Sequence, residues 1–190
     1  MEVTVRRATS ADTRAIATIR VTSWRAAYAG LIPSRLLDRL DIGSEAHRRA
    51  QYWPRYHADP RAVEFLAMRA GRAVGWASVG ACRDDDTGAA VRGELFALYA
   101  LPTQWSQGVG HALVAAAEQQ LRASGFRTAS LWVLEGNERA AAFYERHGWR
   151  EDGTVKDDER IVGTTGIPAL RERRRVRDLN ETIVWSDHKE

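Results

Sequence analysis

Residues 98–110, LYALPTQWSQGVG, carry the residue types of an anion site. They read as a strand, a proline exit, a glycine-punctuated turn and the start of a helix. Gly108 and Gly110 leave the first backbone N–H groups of that helix uncovered. Such groups have no intrahelical partner and sit at the positive end of the helix dipole. A strand feeding such a turn makes a site for a pyrophosphate. Two common owners of such turns do not fit. A dinucleotide-binding turn wants a third glycine where this chain has Leu113, and it normally opens its domain, whereas this turn lies mid-chain. A P-loop ends in Gly-Lys-Ser/Thr, and here the turn ends Gly110-His111-Ala112. A tight turn with no ligand stays open on these residues alone.

A second constellation follows at residues 131–149, LWVLEGNERAAAFYERHGW. Asn137 is a good helix N-cap and Gly148 a good helix stop. Between them lies the aromatic pair Phe143-Tyr144. The five histidines and single cysteine are scattered without ligand spacing, so no metal site is expected.

These residues need elements to hold them. Val3 and Val5 alternate with polar neighbours as a short strand. Ser10 is placed to cap a helix running to about Tyr28 and stopped at Gly30. Pro33 fits the first turn of a second, short helix, and a third spans about 44–55, ending near Pro54. The period then changes to two strands, 63–69 and 73–81, around a turn at Gly71-Arg72. A polar loop covers 83–90, and a strand covers 94–101. Simple alternation puts residues 94, 96, 98 and 100 of that strand on one face and 95, 97, 99 and 101 on the other. A helix at 108–124, a strand at 128–134, a helix from Asn137 to about His147, and strands near 149–155 and 170–177 complete the order. This is an α/β (α+β) chain with a mixed sheet flanked by helices, in one domain over residues 1–190. The tail from about Asp178 is expected to be loosely held.

Bulk properties bound the function. The length of 190 residues supports one domain with a real core. A net charge of +3 helps attract an anionic ligand but is too small to argue for nucleic acid alone. Cys82 is the only cysteine, which fits a reducing cytoplasm. The N-terminus lacks an apolar signal core, and no apolar run approaches the ~20 residues that span a bilayer.

Taken together, the two motifs resemble the Gcn5-related N-acetyltransferases, the GNAT superfamily. Their acetyl-CoA motif is Arg/Gln-x-x-Gly-x-Gly/Ala opening a helix after a proline-ended strand. Trp105-Ser106-Gln107-Gly108-Val109-Gly110 stands at that place. Trp105 departs from the usual Arg or Gln, which removes one side-chain contact and leaves the backbone cradle. A later family motif, Asn-x-x-Ala-x-x-Phe-Tyr-Glu-x-x-Gly-Phe, is matched by Asn137, Ala140, Phe143, Tyr144, Glu145, Gly148 and Trp149. The resemblance is dense over 94–149 and looser, through element order, elsewhere. It implies a mostly antiparallel sheet of six to seven strands, splayed at its central parallel pair. It also implies direct acetyl transfer from acetyl-CoA to a primary amine of a small molecule or peptide, without a covalent enzyme intermediate.

By the same resemblance, Leu98, Tyr99 and Ala100 would pair main-chain groups with the pantetheine arm. Ser106, Gln107, Gly108, Val109, Gly110 and His111 would wrap the pyrophosphate, with Gln107 adding a side-chain donor, and Asn137 would touch CoA. Tyr144 matches the tyrosine that protonates the departing thiolate. A phenol near pKa ~10 can serve a thiolate whose acid has a pKa of about 8.5 when transfer accompanies departure. An ammonium cannot attack a thioester, so a base is needed. Glu94, on the strand that receives the thioester and expected on the Leu98 face, is the first candidate, and Glu135 the second. N-terminal helices usually cover the acceptor, which brings in Trp24 and Tyr28, four apart on one helix face. Trp132 could line the same cleft.

Two other classes stay open: an inactive acyl-CoA-binding sensor, and a nucleic-acid binder using residues 171–177, RERRRVR. A strand with outward arginines also explains that run. No membrane partner is expected, and exposed late strands allow a homodimer.

Overall fold

The computed structural model describes residues 2–84, 92–158 and 170–181. Most of the polar loop at 83–90 and the tail beyond 181 therefore lie outside the described residues. The elements are β1 (Thr4–Arg7), α1 (Thr13–Ala27), α2 (Ser34–Asp38), α3 (Ile42–Tyr56), β2 (Val63–Arg69), β3 (Arg72–Ala81), β4 (Arg92–Ala100), α4 (Val109–Ala123), β5 (Thr128–Leu134), α5 (Glu138–Arg146), β6 (Arg150–Asp158) and β7 (Leu170–Asp178). They form one seven-stranded sheet in the order β1-β2-β3-β4-β5-β7-β6. Only β4 and β5 run parallel.

Local chemistry explains the boundaries, including those that sequence periodicity misplaces. A 3-10 turn at Ser10–Asp12 precedes α1, and the Asp12 carboxylate accepts from the Thr9 N–H at 2.8 Å. Thr9 with Asp12, rather than Ser10, therefore closes this helix start. Asp41 caps α3 by accepting from the Ser44 N–H at 2.7 Å, so α3 begins earlier than its apolar pattern suggests. It runs through Pro54 to Tyr56. The β2–β3 hairpin turns at Ala70-Gly71, both at positive φ (50° and 74°), as the favoured two-residue hairpin turn requires.

The largest core lies between the sheet and α4, around Leu95, Leu113, Leu121, Leu131 and Trp149. A smaller one lies under α1, around Ile16, Ile19, Leu66 and Trp76. Two buried glycines set the approach of α4. A Cβ on Gly75 would stand 2.6 Å from Val109 Cγ1 and 2.9 Å from Leu113 Cδ1. A Cβ on Gly93 would stand 2.6 Å from Leu121 Cδ2.

Strand β4 breaks simple alternation. Ser78 pairs with Ala97 and the next residue, Val79, with Leu95, so Phe96 is an extra residue in β4. Such a bulge reverses the facing of everything beyond it. Leu95, Leu98 and Ala100 join the α4 core, while Ala97, Tyr99 and Leu101 join the α1 core. Phe96 lies against Tyr56 and the position of Gly80, on the α1 side.

Candidate active site

The bulge brings Glu94 to the α1 side, with Phe96 and Tyr99 rather than Leu98. The same strand forms one wall of a gap. β4 and β5 pair only from Arg92–Thr128 to Glu94–Ser130 and have no register beyond. β5 stays paired with β7 along its whole length, so the parting frees the β4 edge. The Leu101 N–H donates to Val74 O at 2.9 Å. Alternation then makes Tyr99–Trp76 a hydrogen-bonded pair and turns the main-chain groups of Leu98 and Ala100 into the gap. Tyr99 spends its main chain on β3, so what it brings to the site is its ring. The Ala100 carbonyl accepts from Ser23 Oγ and Trp105 Nε1, each at 2.9 Å. Leu98 and the Ala100 N–H are the groups this edge can offer.

At the end of β4, a 3-10 turn at Pro102–Gln104 leads into Trp105, Ser106 at φ 58° and Gly108 at φ 82°. Gly108 is the N-cap of α4, and nothing lies within 4 Å of where its Cβ would be. The N–H groups of Val109, Gly110 and His111 in the first turn have no intrahelical acceptor. The side chains have other duties. Val109 is wholly buried against β3. A Cβ on Gly110 would stand 3.0 Å from the Phe143 ring, so this glycine lets α5 lie against α4. His111 Nδ1 faces His147 Nε2 at 3.3 Å, away from a phosphate role.

Gln107 is tied down through both ends of its side-chain amide. Its Nε2 donates to Thr103 O at 2.7 Å, and its Oε1 accepts from Arg69 Nη1 at 2.7 Å. Arg69, at the end of β2, also donates to Gln107 O at 2.7 Å and to Gln104 Oε1 at 2.6 Å. Sequence reasoning missed this brace, and a lone arginine at a hairpin carries no local signal for it. Trp105 has a structural use of its own, since the Arg139 guanidinium from α5 lies on its ring, 3.1 Å from the ring centre.

Helix α5 carries Tyr144. Asn137 caps it by accepting from the Ala140 N–H at 3.2 Å. Trp149, just past its end, donates through Nε1 to the buried Glu118 on α4 at 3.1 Å. Tyr144 is 8% exposed, and no described residue is seen to hydrogen-bond its hydroxyl. Burial, reinforced by neighbouring Tyr99, pushes its phenol well above the ordinary value, so it holds its proton firmly. Burial likewise raises Tyr28, with Tyr99 and then Tyr144 adding to the effect.

On the α1 side lies a cavity of about 150 Å³. Trp24, Tyr28, Tyr99 and Trp132 supply aromatic walls, with Glu94, Arg83, Lys156 and Glu172 as charged groups. Trp24 and Tyr28 meet edge to face at 5.0 Å, and the Tyr28 and Tyr99 hydroxyls lie 3.5 Å apart. Glu94 is buried, not an exposed edge carboxylate. It accepts from the Arg83 N–H at 3.0 Å and from Arg83 Nη2 at 2.8 Å. Glu135 lies outside this cavity. It borders another on the α5 side and pairs with Arg173.

Cys82, Asp84 and Glu94 bring ligand-type atoms within 4.8 Å of one another. Guanidiniums already meet the carboxylates: Arg83 on Glu94, and Arg92 and Arg174 on Asp84 at 3.4 and 3.1 Å. The donor set thus works as an ion-pair knot.

The arginines of β7 are not an outward basic stripe. Arg174, Arg175 and Arg177 are buried. Each of the five has a carboxylate partner: Arg171 Asp157, Arg173 Glu135, Arg174 Asp152, Arg175 Glu151 and Arg177 Glu118. Such a set is spent within the protein and does not form a surface for a phosphate backbone.

Comparison with known proteins agrees with this geometry. The pattern of the acetyltransferase (GNAT) family matches residues 24–149. An uncharacterised N-acetyltransferase, YuaI of Bacillus subtilis (strain 168), is 31% identical over 162 residues, covering 85% of this chain and 87% of the relative. The paia N-acetyltransferase of Thermoplasma acidophilum, solved in complex with coenzyme A, superposes with a TM-score of 0.67 at 19% identity, over 90% of this chain and 98% of the other. The yncA protein of Salmonella typhimurium, solved with its cofactor acetyl-CoA, gives 0.68 at 18% identity, over 98% and 99%.

Proposed function

Because the chain belongs to the acetyltransferase (GNAT) family, we propose that it moves an acetyl group directly from acetyl-CoA to a primary amine of a small molecule or peptide. The observation that carries this reading is the parting of β4 from β5 beyond Glu94, with the open α4 turn at one end and Tyr144 buried on neighbouring α5. The pantetheine arm lies along the free β4 edge and takes hydrogen bonds at Leu98 and the Ala100 N–H. The pyrophosphate rests on the N–H groups of the turn at Ser106–His111, and the Asn137 side-chain amide adds a contact. Acetyl-CoA is a co-substrate here, and two relatives of the same fold were solved with coenzyme A or acetyl-CoA.

The acceptor enters from the aromatic cavity. Glu94 takes a proton from its ammonium, directly or through water, once Arg83 yields the carboxylate. The freed amine lone pair forms a bond to the thioester carbon. The carbonyl pair moves onto its oxygen and returns as the carbon–sulfur bond breaks; the electron pair of that bond leaves on sulfur, and the nitrogen gives up its second proton to water. Tyr144 gives its phenolic proton to that sulfur, and solvent returns one to Tyr144. Burial keeps the phenol protonated in the resting site and makes it the weaker acid, so its proton moves only as the sulfur departs. With its single free thiol, Cys82, the protein suits a reducing compartment, and we assign its work to the cytoplasm.

Replacement of Tyr144 by Phe tests the reading. With acetyl-CoA and an accepting amine, kcat should fall about a hundredfold, within the range typical of a lost general acid. Affinity for acetyl-CoA, measured by calorimetry, should stay nearly unchanged. Turnover equal to that of the parent protein would remove Tyr144 from the mechanism.

A further inference from the structure

We infer that the acceptor is a small dicationic amine, a diamine whose two ammonium groups replace two protein cations now seated in the cavity. This rests on the acetyl-transfer reading above and names the acceptor class for the same site. The cavity holds two seats built alike, each a carboxylate beside an aromatic ring. In the first, the Arg83 guanidinium lies 4.0 Å from the centre of the Phe96 ring and donates to the buried Glu94 at 2.8 Å. In the second, Lys156 Nζ lies 3.9 Å from the centre of the Trp132 ring and 3.3 Å from Glu172 Oε2. A ring face with a carboxylate beside it is a seat suited to an ammonium ion.

Both occupants reach in from solvent, with 58% of the Arg83 side chain and 32% of the Lys156 side chain exposed. The Lys156–Glu172 pair is partly exposed and adds little net stability, because holding a long side chain in one rotamer costs entropy. The Arg83–Glu94 pair has a buried carboxylate, so Arg83 yields only to another cation that takes its place on Glu94. The seats are also spaced for one molecule. Glu94 stands level with Ser130, and Glu172 stands opposite Leu134. That offset along β5 is roughly 13 Å at the usual strand rise, before the side chains reach inward between them. The reacting amine takes the Glu94 seat, where the base is, and the second ammonium takes the place of Lys156 on Trp132 and Glu172.

An acceptor carrying an anion would use the same cavity in the opposite sense, with its anion held by Lys156. The test uses hexylamine, aminohexanoate and terminal diamines from diaminobutane to diaminooctane, with saturating acetyl-CoA. Binding to the CoA-loaded protein is read in parallel by calorimetry. The best diamine should exceed hexylamine in kcat/KM by about tenfold, the size of one partly desolvated cation–ring contact. Lys156→Met should lower KM for that diamine and Glu172→Gln should raise it, each by more than it changes KM for hexylamine. A purely structural role for the Lys156–Glu172 pair would give the two variants the same sign. The inference is overturned if hexylamine or aminohexanoate serves as well as the best diamine, or if Lys156→Met raises the diamine KM. Diamine binding without turnover would uphold the seats and defeat the transfer reading. Absence of both binding and turnover across the series would overturn the inference itself.

Discussion

Arg69 shows how a single side chain can serve a site without facing its chemistry. Its guanidinium reaches the main chain and side chain of Gln107 and the side chain of Gln104, all at 2.6–2.7 Å. These bonds hold a turn in which Ser106 sits at positive φ without being glycine, a conformation that costs about 1–2 kcal/mol. Hydrogen bonds from a charged donor contribute roughly 1.5–3 kcal/mol each. Arg69→Met should therefore loosen the turn and raise KM for acetyl-CoA by about tenfold, while kcat at saturating donor stays close to the parent value. Donor titrations at fixed acceptor separate the two quantities. A drop in kcat with unchanged donor KM would show that the brace acts elsewhere. Residues of this sort are hidden in a sequence, because the partners of Arg69 stand 35 and 38 positions away. Tyr144, Asn137 and Gly108 are visible because their neighbours in the chain define them.

At the scale of elements, what could be read depended on whether the cause was local. Helix α4, strand β5 and helix α5 follow from apolar period, an Asn cap and glycine stops, and the chain forms them close to the expected limits. The bulge at Phe96 has no such signature. One extra residue in a strand leaves composition and period almost unchanged, yet it moves Glu94 from the Leu98 side to the Tyr99 side. The pairing of the β7 arginines is hidden for a related reason, since their carboxylates come from β6, α4, the turn after β5 and the segment after β3. Packing between elements makes its own prediction at Gly75. A methyl there would meet Val109 and Leu113 side chains and stand 3.1 Å from Tyr99 O. Gly75→Ala should cost about 1–3 kcal/mol in denaturant unfolding, as overpacked cores do. It should also weaken acetyl-CoA binding by tilting the start of α4. Unchanged stability would mean that α4 does not depend on this close approach.

For the whole molecule, the sheet divides two tasks. Its α4 side carries the glycine turn and, in the proposed reading, the acid Tyr144. Its α1 side carries the aromatic cavity and the buried carboxylate. The proposal joins the two sides where β4 leaves β5, after a parallel pairing of three residues. No helix among the described residues is long and apolar enough to cross a membrane. The net charge of +3 is carried by a chain whose densest basic run is neutralised internally, so its basic character gives no argument for a nucleic-acid partner.

In the proposed reading, the turn before α4 is the seat of the donor's pyrophosphate. Calorimetric titration of acetyl-CoA into the parent protein and into Gly108→Glu tests it most directly. No described residue crowds the Gly108 Cβ position, so the new carboxylate projects into the space above the turn and opposes an anion there, with Gly108→Ala as the control for the strain any side chain meets at φ 82°. The parent should bind and the variant should show no measurable binding while keeping a cooperative unfolding transition. Retained acetyl-CoA affinity in a folded Gly108→Glu protein would contradict the account.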